Sequence, residues 1–401
     1  MNIIKNVEIT NYKGIEETQF SCGSINIIVG PNNTGKSSIL ESVWMAVASL
    51  NDFEDNLETQ LSDITEDIRH LIRQGKQKST IALEIFENDK ITLDLIYSKK
   101  NYPEEVAEFF LTFINGTPKF NLDDDLDFHM SLWDLQVLGS KLDRLSRKTG
   151  SKEELNKVLK RVLENIESAV EEYRSRLIKS EKIFLTSKLS NNLISIRAVM
   201  DGYADGLSIF NEESPSLQKI PLIISSSRID EDVSELYKKL VNTKKLAEVL
   251  GVLKNRIPYF EDIREADGDL LVLLENLDEP LPLSFMGAGF KTLLKLSFMA
   301  PLIKNGIVLF EDPETSMHPG YLNILAKEIL LSSEHSQIFI STHSLELIEY
   351  LLEKAEKSGK IESIKILRLR RLEGGYIERE ICSGKEAAEE MEMIKTDLRG
   401  Y

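Results

Sequence analysis

The stretch Gly30-Pro31-Asn32-Asn33-Thr34-Gly35-Lys36-Ser37 limits what this chain can fold into more than any other. It fits the pattern G-x-x-x-x-G-K-[ST], follows an apolar run (Ile25, Ile27, Ile28, Val29) and precedes apolar positions at helical spacing (Ile39, Leu40, Val43, Ala46). A strand, a glycine-rich loop and a helix in that order wrap backbone N–H groups around an anion at a helix N-terminus. The glycines let the backbone curl, Lys36 brings a point charge to phosphate oxygens, and the Ser37 hydroxyl suits Mg²⁺. Gly30, Asn32, Asn33, Thr34, Gly35, Lys36, Ser37 and Ser38 are therefore the candidate nucleotide-binding residues.

At 401 residues with 42% hydrophobic content the chain can fill two or more cores. No apolar run approaches the ~18 residues of a membrane span. The opening Met1-Asn2-Ile3-Ile4-Lys5 lacks the apolar core of a signal peptide. Cys22 and Cys382, far apart, form neither a disulfide framework nor a metal spacing, so a reducing, cytoplasmic location is expected. A net charge of −17 argues against a surface that binds nucleic acid everywhere, although a local basic groove stays open. From Lys141 to Lys182, 12 Lys/Arg stand against 8 Asp/Glu, which reads as a solvated helical face or as a DNA-binding face.

Residues 3–29 read as two or three strands leading into the loop, and 37–50 as the helix leaving it. Ser79 to Glu87 and Lys90 to Tyr97 alternate across Asn88-Asp89 as a hairpin, and Phe109 to Leu122 offers another across Asn115-Gly116. Leu155, Leu159, Val162, Ile166, Ala169, Tyr173 and Leu177 then step by three and four, predicting a long amphipathic helix over 152–180 inside a helical insertion. Strand character returns at Leu222-Ile223-Ile224, which ends in Ser225-Ser226-Ser227-Arg228. It appears again at Leu270 to Leu274, at Ile307 to Phe310 and at Gln337 to Thr342. Helices are expected at 292–299, 322–331 and 345–355, with a closing hairpin and an acidic helix.

Order and spacing join the later motifs to the loop. A phosphate loop needs one carboxylate at the end of a neighbouring strand for the metal and a second to orient the attacking water. Glu311 and Asp312, after four apolar β-formers, supply both. With these residues the chain resembles ABC-class ATPases of the SMC/RecF/OLD (overcoming-lysogenization-defect) branch over about 1–98 and 215–355. In that branch a large insertion separates phosphate loop from carboxylate strand, as Ser37 and Glu311 are separated here.

The resemblance implies an α/β P-loop fold with an ABC-type head, a β-rich lobe plus a mixed sheet flanked by helices, and an α-helical insertion. It implies that Gly287-Ala288-Gly289-Phe290-Lys291 is the signature loop, with Gly287 and Gly289 offering a helix N-terminus to ATP on a second subunit. It further implies that His343 is the switch histidine, that 313–319 resembles the D-loop, that Ser37 and Glu311 hold Mg²⁺, and that Tyr12 and Lys13 lie against adenine. Two departures bear on turnover rather than on binding. The acidic order is Glu311 then Asp312 where the family has Asp then Glu, and Gly287 replaces the signature serine, with Ser284 nearby but out of register. No Q-loop glutamine can be placed. The 58 residues after His343 are too few for the Toprim nuclease domain of OLD proteins, so nuclease activity is not expected in this chain.

The expected organisation is a first part of the head over 1–125, a helical insertion over 126–212 and a second part over 213–401. The expected function is an ATP- and Mg²⁺-dependent homodimeric switch with a DNA or effector nuclease or toxin client and no membrane role, serving repair or phage defence. A non-hydrolysing ATP-binding module and a structural DNA-bridging protein are the alternatives.

Overall fold

The computed structural model describes residues 3–50, 64–65, 67–85, 89–98, 182–190, 192–200, 203–210, 220–225, 233–266, 268–315, 317–371 and 377–394. Two large sheets enclose one helix. The first is antiparallel, in the order β2-β1-β4-β5-β6-β7-β8, from β1 (Asn6–Tyr12), β2 (Ile15–Ser21), β4 (Lys78–Glu84), β5 (Lys90–Ser98), β6 (Lys182–Leu189), β7 (Asn192–Met200) and β8 (Tyr203–Phe210). The second runs β16-β15-β3-β14-β13-β9, from β3 (Ile25–Val29), β9 (Leu222–Ser225), β13 (Ile307–Glu311), β14 (Gln337–Thr342), β15 (Ile364–Arg371) and β16 (Ile377–Ser383). All its pairings are parallel except β15 with β16. A small antiparallel sheet of β10 (Phe260–Ala266), β11 (Asp269–Leu274) and β12 (Leu281–Pro282) stands beside them.

Helix α1 (Lys36–Ala48) packs on β1, β4 and β5 on one side and on β9, β13 and β14 on the other. That position explains its composition: it is apolar around most of its circumference because both sheets bury it. The second sheet is also covered on both faces, and its strands read as continuous apolar runs for that reason. Ile28, Leu309 and Phe339 face α1, while Ile27, Val308, Ile338 and Ile340 face the opposite layer. That layer holds α2 (Val233–Asn242), α3 (Leu246–Arg256), α4 (Ala288–Leu302), α5 (Pro319–Ser332), α6 (Leu345–Lys357) and α7 (Gly384–Ile394).

A buried side chain ties the first strands to this sheet. Gln337, fully buried, accepts from the Ile4 N–H at 2.7 Å and donates to the Ile4 carbonyl at 2.7 Å and to the Gly23 carbonyl at 2.8 Å. Its amide thus completes a backbone that no strand partner reaches.

The strands, hairpins and helices expected around the loop and in the C-terminal half are present. The helical insertion needs correction in its last part, because 182–210 form three strands. β6 pairs antiparallel with β5 from Ile91↔Leu189 to Ser98↔Lys182, and Ser190, at φ 45°, turns the chain into β7. These strands extend the same sheet as β1 and β4, so the lobe begun before residue 98 resumes at 182. Pairing with a distant partner decided the matter, since β propensity follows the surface on which a segment is laid. The expected helix over 152–180 and the hairpin over 109–122 lie outside the described residues, as do Ser226, Ser227 and Arg228. Ile68–Leu71 forms one 3-10 turn, capped by Asp67. Helices α2 and α3 had no counterpart in the sequence reading. Among the described residues, no helix is long and apolar enough to cross a membrane.

Candidate active site

The loop from Gly30 to Gly35 leaves β3 at its carboxyl end with several constrained backbone positions. Gly30 has φ 154°, and a Cβ there would lie 2.5 Å from the Leu369 carbonyl oxygen of β15, so no side chain fits. Asn33 (φ 62°) and Gly35 (φ 96°) take left-handed conformations that reverse the chain into α1. The Thr34 hydroxyl donates to the Pro31 carbonyl at 2.8 Å and fastens the turn. Gly35 is the N-cap of α1, with no side-chain cap and no acidic residue in the first turn. The helix N-terminus is therefore open to an external anion. Asn32 and Asn33 are exposed, and Ser37 and Ser38 are half-buried in the first turn.

Lys36 is 6% exposed, and its ammonium donates to the Gly30 carbonyl at 2.9 Å and to the Pro31 carbonyl at 3.0 Å. Burial lowers its pKa, and the charges of Asp312, Glu311 and Glu314 act against that fall. The carboxylates reach Lys36 through sheet order. β14 lies between β3 and β13, with Val29 opposite Thr342 and Ser341 opposite Glu311. Loop, histidine and acidic pair thus emerge at one carboxyl edge, where parallel α/β sheets bind ligands.

Asp312 sits at φ 42°, and its N–H donates to the Ser341 carbonyl at 3.0 Å. Its Oδ1 is buried with no hydrogen-bond partner among the described residues and lies 3.9 Å from His343 Nε2. Burial first, then repulsion from Glu314, pushes its pKa up to about 6. Lys36 opposes the rise and Glu311 adds to it. Two residues on, Glu314 Oε1 accepts hydrogen bonds from the turn that carries His343.

The loop expected to be the signature loop opens α4. Gly287 is the N-cap of α4, again with no side-chain cap, and nothing lies within 4 Å of a Cβ built there. Tyr12 is fully buried, so its ring offers no face to adenine, and Lys13 is turned to an ion pair with Glu41 of α1. The adenine expectation is corrected on both residues: the alternation that put Tyr12 in β1 also put its side chain in the core.

The residues present suit the phosphates of a nucleoside triphosphate, given the open α1 terminus and the Lys36 ammonium. Among the described residues no group of three or more His, Cys, Asp or Glu is disposed to hold a metal. Ser37 and Glu311 match the other arrangement, in which Mg²⁺ takes one or two protein ligands and completes its shell with water and phosphate. Sequence reading missed the grip of Glu314. Its only local signal was a third acidic residue after the Pro313 turn.

A family model described as an AAA ATPase domain matches residues 1–348. A Helicobacter pylori protein named ATP/GTP phosphatase is 23% identical over 379 residues, covering 87% of each chain. Endonuclease GajA of Bacillus cereus is 23% identical over 359 residues, 86% of this chain and 56% of that protein, so the chain spans just over half the length of that relative. Among solved structures, the Pyrococcus furiosus Smc head domain bound to the C-terminal domain of ScpA aligns over 99% of this chain and all of that one. Its TM-score is 0.47 and its identity 13%.

Proposed function

We propose that the chain, which belongs to the AAA ATPase domain family and is an ATPase, works as an ATP-gated dimeric switch of the SMC/RecF/OLD type with slow turnover. One observation carries the reading: Lys36, Glu311, Asp312 and His343 meet at the carboxyl edge of a single sheet, below an uncapped helix N-terminus. The α1 amides and Lys36 hold the β and γ phosphates. Ser37 and Glu311 would hold Mg²⁺, which would neutralise charge on the phosphate oxygens. Asp312, ionised above about pH 6, accepts a hydrogen bond from the attacking water and aims it in line. His343, 3.9 Å from Asp312, contacts the γ-phosphate.

The remaining donors come from a second copy, whose α4 N-terminus at Gly287 and Gly289 closes over the nucleotide. Closure is then the signal, and hydrolysis ends it. The name of the relative Endonuclease GajA supports a client that is DNA or acts on DNA.

Phosphate release and solution size, each with and without ATP and Mg²⁺, test this. The parent releases phosphate, and Lys36→Ala does not. Asp312→Asn binds ATP without turning it over and accumulates as a dimer. A parent with no turnover defeats hydrolysis as the end of the signal, and a size that ignores ATP defeats the switch.

A further inference from the structure

Glu314 lies in the turn between β13 and α5, two residues beyond Asp312, and its carboxylate holds a segment nearly thirty positions away in sequence. Oε1 accepts three hydrogen bonds: from Thr342 Oγ1 at 2.6 Å, from the His343 N–H at 2.7 Å and from the Ser344 N–H at 3.2 Å. Thr342 Oγ1 in turn accepts from the Ser344 N–H at 3.0 Å. Ser344 Oγ caps α6 by accepting from the Leu347 N–H at 3.1 Å. The start of α6, the backbone of His343 and the end of β14 therefore converge on one oxygen. On its own side, Glu314 is fixed by the Met317 N–H, which donates to its carbonyl at 2.9 Å. The neighbouring Thr315 N–H donates to the Asp312 carbonyl at 3.0 Å.

This arrangement ties two turns together. A charged acceptor shared by two backbone amides and a hydroxyl is stronger than neutral hydrogen bonds, and a carboxylate with little water around it holds its donors tightly. Without Glu314 the His343 amide has no strand partner to take over, because β14 ends at Thr342.

We propose that Glu314 is the positioning residue that sets His343, locking the turn that bears the histidine to the turn that bears Asp312, so that both move as one unit when the site closes. The proposal rests on the reading of His343 as a contact to the γ-phosphate. Glu314 acts through the backbone it holds.

The test combines ATPase kinetics on Glu314→Ala, Glu314→Gln, His343→Ala and the double variant Glu314→Ala/His343→Ala with amide hydrogen exchange of the nucleotide-free proteins. Glu314→Ala lowers kcat by about 10- to 100-fold, as loss of a buried partner that orients a functional histidine does. KM for ATP stays within about 3-fold, since the hydrogen bonds of the Glu314 carboxylate go to the His343 turn and not to the Lys36 loop. Glu314→Gln keeps one acceptor oxygen and recovers to within about 10-fold of the parent. In the His343→Ala background the Glu314→Ala change costs less than about 3-fold further, because partners acting as one unit are not additive. Exchange at the His343 and Ser344 amides speeds up in Glu314→Ala and stays slow in Glu314→Gln.

Full multiplication of the two effects overturns the proposal, as does a Glu314→Ala protein with parental kcat or unchanged exchange at those amides, while the reading of His343 stands. A His343→Ala protein with parental kcat defeats the reading itself and the proposal with it. If Glu314→Ala fails to fold, Glu314→Gln decides: parental melting with a kcat no better than His343→Ala overturns the proposal.

Discussion

Replacing Asp312 with Asn removes a charge that the fold holds at a penalty. The carboxylate sits among Glu311 and Glu314 with part of its surface withdrawn from water, and its pKa is raised from an ordinary 3.8 to about 6. That difference is equivalent to at most about 3 kcal/mol. The side chain is 34% accessible, so screening reduces this to about 1–2 kcal/mol. The sign follows from proton counting. Between pH 3.8 and about 6 the native protein binds more protons here than the unfolded chain, so stability falls as pH rises through that window, and above it the whole penalty applies. Asn keeps the shape and tolerates the left-handed backbone at φ 42°, so strain does not confuse the comparison. In metal- and nucleotide-free buffer with chelator, urea unfolding at pH 7.5 should show Asp312→Asn about 1–2 kcal/mol more stable than the parent, with unchanged slope. At pH 4.5 the gain should shrink to about a third. A variant more stable but without turnover is the expected trade between folding and catalysis. Equal or lower stability at pH 7.5 would refute the account of burial and like-charge repulsion.

Two further outcomes follow from buried polar groups. Gln337→Leu leaves the Ile4 N–H and carbonyl unpaired in the core and should cost about 2–5 kcal/mol in urea unfolding. A loss below about 1 kcal/mol would mean that water or a shifted backbone takes the amide's place. Lys295, 6% exposed on α4, has its pKa pushed down by burial to about 8 from 10.5. The parent's stability should therefore rise with pH from about 8 to 10.5, and Lys295→Met should be about 1–3 kcal/mol more stable at pH 7 but not at pH 10.5. The comparison is made by unfolding at the two pH values, and a gain that persists at pH 10.5 would exclude the ammonium as its source.

The phosphate loop was legible in sequence because each of its requirements is local. Gly30 and Gly35 answer to backbone geometry, Lys36 and Ser37 to the ligand, and the flanking apolar runs to burial on both sheet faces. The acidic pair and His343 were legible through their place at strand ends, since a buried parallel strand announces itself by an unbroken apolar run. Tyr12 was misread because its role came from the resemblance alone, whereas its place in β1 puts the side chain on the buried face. The strands over 182–210 were hidden because β pairing is settled by a partner, here β5, whose end lies 84 residues before the start of β6.

The sequence by itself determined the chemistry of this protein: a loop shaped for phosphates, a lysine, a hydroxyl and two carboxylates, each carried by a motif short enough to read along the chain. Tertiary structure alone decided how these meet. The order β3-β14-β13 set His343 between loop and acids, Gln337 bound residue 4 to a strand more than three hundred positions later, and one oxygen of Glu314 joined two turns. The physical reason is range. Backbone conformation and hydrophobic period act over a few residues and leave a trace in sequence, whereas hydrogen bonds and charge couplings depend on which segments the sheet brings side by side.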